Sequence, residues 1–195
     1  MAAEQYWISR SDQPSFQLMA NRWNGKPGSK PTGFFADLVK DEEPEQVALQ
    51  EFYRALGLGF DQLRTYQPRP ASQIYPGRVA VLAVAGDRAS AAAALMINFP
   101  VFGKAMAKVQ AGLMRHYGLT PSQISFVSFA AKPLPPSFEV EGLAEISRGL
   151  QEGACPHDVR TQVRLIQEAE FSFWKAASEP PGSRLEPLSS GRSGR

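Results

Sequence analysis

The sequence predicts an all-α multi-helix bundle, and three observations predict it. Stretches of helical period are bounded by recognisable start and stop residues. No alternating apolar–polar pattern runs longer than a few residues, and no internal repeat occurs. The segments between helices are short and built from Gly, Pro, Ser and Asn, as antiparallel neighbours in a bundle require.

Taken in order, the first helix lies within residues 2–23, where Tyr6, Trp7, Phe16, Leu18, Met19 and Trp23 are large and apolar. Residues 24–32 read as a loop by composition, and Phe34 to Lys40 as a short turn of helix. Pro44, suited to a first helical turn, opens a helix through Val47, Ala48, Phe52 and Leu56 that closes at Gly57. A loop with Pro68 and Pro70 leads to an Ala/Val-rich helix from about Ser72 or Tyr75 to Ala85. A long helix from Ala89 to Tyr117 follows, ended by Gly118 as a left-handed cap. Thr120-Pro121-Ser122-Gln123 has the form of a capping box and marks another start. Ser137 to Glu152 and Pro156 to about Ser178 complete the set. Residues 1–178 therefore form one helical domain, and residues 179–195 a tail too poor in apolar residues to order itself.

The 195 residues suit one domain, with 43% hydrophobic content to form a core. Twenty-one Lys and Arg against 19 Asp and Glu leave a net charge of +2, which gives no electrostatic reason to expect nucleic acid or a membrane surface as partner. No run approaches the ~20 apolar residues of a membrane span, and the start lacks the pattern of a secretory signal. Cys155 is the single cysteine, so no internal disulfide can form. A cytoplasmic protein is the simplest expectation.

The last helix offers the clearest chemistry. At about 100° per residue, Val159, Val163, Ile166, Glu170, Trp174 and Ala177 share one face, while Arg164, Glu168 and Lys175 share the opposite one. Glu170 thus points into the apolar side, where burial raises a carboxyl pKa and where a catalytic acid or base or a structural hydrogen bond can be made. In the long helix, Pro100 within Asn98-Phe99-Pro100-Val101-Phe102-Gly103 removes a backbone hydrogen bond, so a kink is expected, one that either makes room for a pocket beside Asn98 or serves packing alone. Cys155 beside His157 has no carboxylate or amide to orient the imidazole, and reads as a loop thiol. A metal site is not expected: no Glu-x-x-His occurs, and Asp41-Glu42-Glu43 with Glu45 reads as an acidic helix start complementing the dipole.

From Tyr6 to Trp174 the chain resembles the TenA (thiaminase II)/PqqC-like group of haem-oxygenase-like helical proteins. The resemblance rests on Tyr6-Trp7, Leu38 with Glu42-Glu43, Phe52-x-x-Ala55-Leu56-Gly57, and Pro70 with Tyr75. Ala94-Leu95, Asn98-Phe99, Phe102-Gly103, His116-Tyr117-Gly118-Leu119, Phe126-x-x-Phe129 and Glu170-x-x-Phe173-Trp174 continue it in order. It implies a pocket between helices with Tyr75 and Glu170 as catalytic groups, and with Tyr6, Asn98, Phe99 and Phe102 as ligand-binding residues. Asn98 matches the position of the thiaminase nucleophilic cysteine, and an amide is no nucleophile. Glu4-Gln5-Tyr6 matches a Gln-Asp-Tyr motif without its Asp.

The function this resemblance implies is metal-free binding of a small heterocyclic molecule, with no cofactor, in a divergent branch of thiamin salvage or cofactor metabolism. The alternatives are a haem-oxygenase-like di-iron redox enzyme and a non-catalytic scaffold whose centre is filled by Phe99, Phe102 and Phe173. The resemblance also implies self-association, since members form dimers or tetramers. Against the family pattern the chain is short of the helix preceding Tyr6-Trp7, so either another subunit covers that face or the start lies upstream.

Overall fold

A computed structural model describes residues 1–25 and 29–179. The tail expected over 179–195 lies outside them except for Glu179. Among the described residues eight helices follow one another: α1 (Ala2–Trp23), α2 (Phe34–Ala55), α3 (Phe60–Thr65), α4 (Ile74–Ala85, entered by a 3-10 turn at Pro70–Gln73), α5 (Arg88–Tyr117), α6 (Ser125–Ala130), α7 (Pro136–Gln151) and α8 (Pro156–Ser178). No β-strand occurs among the described residues. The chain is an all-α bundle.

α5 is the central element, packed against α7, α8 and α6. Its first turns are a run of buried alanines, Ala89 and Ala91 to Ala94, and small side chains let neighbouring helices approach closely. α7 answers with Gly142 and Gly149, seven residues apart on the same face. A Cβ at Gly149 would lie 2.4 Å from the Ala89 backbone nitrogen, whereas one at Gly142 would meet the flexible Met96 side chain. Gly149→Ala is therefore expected to destabilise by about 1–2 kcal/mol: overpacking against rigid backbone outweighs the ~1 kcal/mol of helix propensity gained. Gly142→Ala should cost less, because Met96 can turn away. Denaturant midpoints of the two variants test the order, and a Gly149→Ala protein as stable as the parent would refute the close contact.

Two large apolar clusters, with a small third of Ala89, Ala93 and Val159, form the core among the described residues. One gathers Phe16, Met19, Phe34, Phe35, Leu82, Leu95, Ile166 and Phe173; the other Leu49, Phe52, Met106, Ile124 and Phe126. Phe102 and Trp174 pack against both.

Several helix ends are closed by side chains distant in sequence. The Asn24 amide oxygen accepts from Phe35 N–H at 2.9 Å and Ala36 N–H at 3.3 Å, satisfying the start of α2 in place of a side chain at Gly33. Its Nδ2 donates to Glu145 Oε1 at 3.0 Å. Arg22 donates to the carbonyls of Ala83 and Gly86 at the end of α4, and Arg69 to those of Ala176 and Glu179 at the end of α8.

The structure departs from the sequence reading in four places. α2 is one helix through Pro44, not two segments. Pro14, Pro44 and Pro100 all lie inside helices at exposed positions, and the helices continue through them. The capping box at Thr120 forms, with Thr120 N–H donating to Gln123 Oε1 at 2.9 Å, yet residues 121–124 are turn and helix begins only at Ser125. α3 was not expected; it buries only Leu63. Finally, α5 is long and apolar enough by length and composition to cross a membrane, where no such run was read in the sequence; half of that stretch is buried inside the bundle.

Candidate functional site

A cavity of about 440 Å³ opens between α1, α2, α4, α5, α7 and α8. Its volume falls within the range of small-molecule sites, about 300–1,000 Å³. Helical spacing explains which side chains reach it. On α1, Gln5, Ser9, Asp12 and Phe16 recur every three or four residues; on α2, Phe34, Leu38, Glu42 and Glu45 do the same. α4 contributes Tyr75, α5 contributes Asn98, Phe99 and Phe102, and α8 contributes Glu170 and Phe173. Phe129, Phe138 and residues 132–135 line the opening side, with Lys40 and Lys132 exposed.

Five of the six site residues expected from sequence meet in this cavity: Tyr75, Glu170, Asn98, Phe99 and Phe102. Tyr6 does not. One step round α1 from Gln5, it joins the second core cluster, edge-on to Trp7 and Phe60 at ring-centroid distances of 5.6 and 6.2 Å. Phe99, Phe102 and Phe173 stand in the wall and leave the centre open.

Glu170 is buried, with Oε1 accepting from the Trp174 indole N–H at 2.6 Å and Oε2 within 3.5 Å of the Asn98 amide nitrogen. Burial pushes its pKa up, and the Trp174 and Asn98 hydrogen bonds pull it back part of the way. Tyr75 stays protonated, its pKa raised by burial and by Asp12 and Glu170.

The sequence reading missed the other half of the site. Asp12 and Glu42 are buried in the cavity wall with Glu45 beside them. Burial first, then the charges of Glu42, Glu45 and Glu170, holds the Asp12 carboxyl well above its usual range. Burial lifts Glu42 to about 7, against a Gln46 side-chain hydrogen bond that lowers it. Burial and the neighbouring Glu42 lift Glu45 to about 8. The acidic group is thus no helix start: α2 begins at Phe34, two turns earlier, and Glu42 faces inward. The signal was present. Phe34, Leu38, Glu42, Glu45, Leu49 and Phe52 keep one helical face straight through Pro44, and Ile8, Asp12, Phe16 and Met19 keep another.

The cavity is an aromatic chamber with one acidic wall, able to hold a planar ring and to give or take protons near neutral pH. It does not fit a di-iron centre. The acidic wall brings no imidazole, and among the described residues no group of three or more His, Cys, Asp or Glu is placed to hold a metal ion. Cys155 and both histidines are exposed and outside it.

No protein-family model, curated protein or solved structure matches the chain.

Proposed function

We propose that this chain is a haem-oxygenase-like helical protein of TenA/PqqC type whose cavity binds a small heterocyclic molecule without a metal, in thiamin salvage or related cofactor metabolism. One observation carries the reading: Tyr75, Asn98 and Glu170, singled out on three separate helices, line one cavity of about 440 Å³ with Phe99 and Phe102 beside them.

The chemistry of the wall suits such a ligand. Rings of Phe99, Phe102, Phe138 and Phe173 offer apolar surface for a flat heterocycle. The Tyr75 hydroxyl and the Asn98 amide supply directional polar contacts. Glu170, its pKa raised by burial, can pass a proton to or from a ring nitrogen. Asn98 supplies no nucleophile, so bond cleavage here would proceed by attack of water with a carboxylate as base, not through a covalent adduct on the chain.

Thermal unfolding against a panel of aminopyrimidines, thiazoles and other nitrogen heterocycles tests the reading. At least one class is expected to raise Tm in a concentration-dependent way, by mass action on the folded state. Glu170→Gln and Tyr75→Phe should each remove most of that shift while leaving the unliganded protein folded. Shifts unchanged in both variants across the whole panel would remove the site assignment.

A further inference from the structure

The cavity's buried polar atoms are unbalanced. Asp12 Oδ1, Glu42 Oε2 and Asn98 Oδ1 are all buried, all belong to residues lining the cavity, and have no hydrogen-bond partner. The Asn98 oxygen is an acceptor, and the two carboxyl oxygens are acceptors whenever their groups are ionised. Buried polar groups in folded proteins are nearly always paired, and an orphaned carboxylate oxygen is the costliest kind to leave. Three in one chamber, on α1, α2 and α5, mean that no donor of the described wall reaches these atoms.

The protein's own cations do not fill the deficit. Among the described residues the only basic ones in the wall are Lys40 and Lys132, and both are exposed. Lys40 is engaged by Asp37, and the Lys132 ammonium lies 5.7 Å from the centre of the Phe129 ring. No arginine among the described residues lines the cavity. Phe99, Phe102 and Phe173 line the same cavity, and aromatic rings attract a delocalised cation as well as an apolar ring.

We propose that the cavity selects a flat organic cation carrying an amidinium or guanidinium unit, whose N–H groups donate to Asp12 Oδ1, Glu42 Oε2 and Asn98 Oδ1 while its ring lies among Phe99, Phe102 and Phe173. This rests on the heterocycle-binding reading and specifies the ligand's charge and donor pattern. A planar fork of N–H donors matches carboxylate and amide oxygens in a way that a single ammonium does not. A neutral amide of the same shape would bring an oxygen of its own toward these acceptors and leave some of them unpaired, which recognition sites penalise strongly.

Binding of such a cation requires the wall to be ionised. Asp12 faces Glu42 and Glu45 from α2, Glu170 from α8 and Tyr75 from α4, and Glu42 also feels Asp41. Without ligand this group holds protons near neutral pH, so a bound cation releases protons to the buffer.

Titration calorimetry of the full chain with benzamidine and with benzamide, near neutral pH in phosphate and in Tris, decides the matter. Benzamidine is expected to bind at least about ten-fold more tightly than benzamide, with a heat that differs between buffers in the sense of proton release. Asp12→Asn and Glu42→Gln should each weaken benzamidine at least about ten-fold, and exposed Glu168→Gln should leave it unchanged. Glu42→Gln is isosteric and removes a buried charge, so it carries the test if Asp12→Asn does not fold. Equal binding of the two probes, or benzamidine binding undiminished in the variants, would overturn the proposal. So would failure of benzamidine while neutral heterocycles still raise Tm, an outcome that leaves the heterocycle site standing. Failure of every heterocycle and both probes would remove the site itself.

Discussion

Raising the pH from about 5 to about 8 is expected to destabilise the folded chain by roughly 3 kcal/mol or more, the reverse of the usual carboxylate behaviour. The cause is the acidic wall of the cavity. In the unfolded chain Glu42 titrates at its ordinary value of 4.5; in the fold it titrates at about 7 because burial disfavours the charged form. Between those two values the folded state holds a proton that the unfolded state has lost, so stability falls as pH rises through the window. Each unit of difference is worth about 1.4 kcal/mol, and Glu42 alone supplies about two and a half. Glu45, lifted to about 8, extends the fall to higher pH, and Asp12 and Glu170 shift in the same direction. Denaturant unfolding at constant ionic strength should therefore show greatest stability on the acid side. Glu42→Gln should flatten the profile and exceed the parent in stability near pH 8, since an amide of the same shape has no charge to bury. A parent profile that is level or rises across the window would refute the buried acidic wall.

Glu145→Ala is the second large effect expected, a loss of about 3 kcal/mol or somewhat more. Glu145 is 3% exposed in its side chain and holds Arg88 at 2.8 Å, itself 14% exposed. Its other oxygen accepts from Arg148 at 3.0 Å and from Asn24 at 3.0 Å. Removing it leaves the Arg88 guanidinium nearly buried with only the half-exposed Glu152 carboxylate at 3.2 Å. It also releases Asn24, the side chain that satisfies the first amides of α2. Loss of one member of a buried pair costs about 3–5 kcal/mol, and the surviving Glu152 contact sets the value near the lower end. Chemical denaturation of the variant measures it. A loss under about 1 kcal/mol would show that Glu145 behaves as a surface ion-pair residue, for which that is the ordinary value.

The sequence made the bundle legible wherever one face of a helix was wholly apolar or ended in a strong stop. α8 shows its face with Glu170 upon it, and Gly118, at φ 64°, ends α5 where a left-handed residue was required. Elsewhere strong local signals misled. Pro44 and the acids before it look like a helix start because proline and acidic residues favour first turns, yet tertiary contacts had already begun α2 at Phe34. Half of the site was hidden for the same reason: Asp12, Glu42 and Glu45 occupy inward positions that a polarity reading assigns to solvent. Tyr6 shows the opposite limit, since a residue matched by resemblance can turn one step away from the cavity its neighbour Gln5 lines.

The arginine-closed helix ends bear on how the bundle comes apart. Arg69 holds the end of α8 from 107 positions earlier, and Arg22 holds the end of α4 from 61 positions earlier. Helical proteins usually draw on near-neighbour contacts, which lets single hairpins open independently. Here the last turn of α8 keeps its carbonyls satisfied only while the loop before α4 is seated, and α4 only while α1 is. Unseating one of these elements therefore also removes hydrogen bonds from the end of another, which couples the opening of helices far apart in the chain.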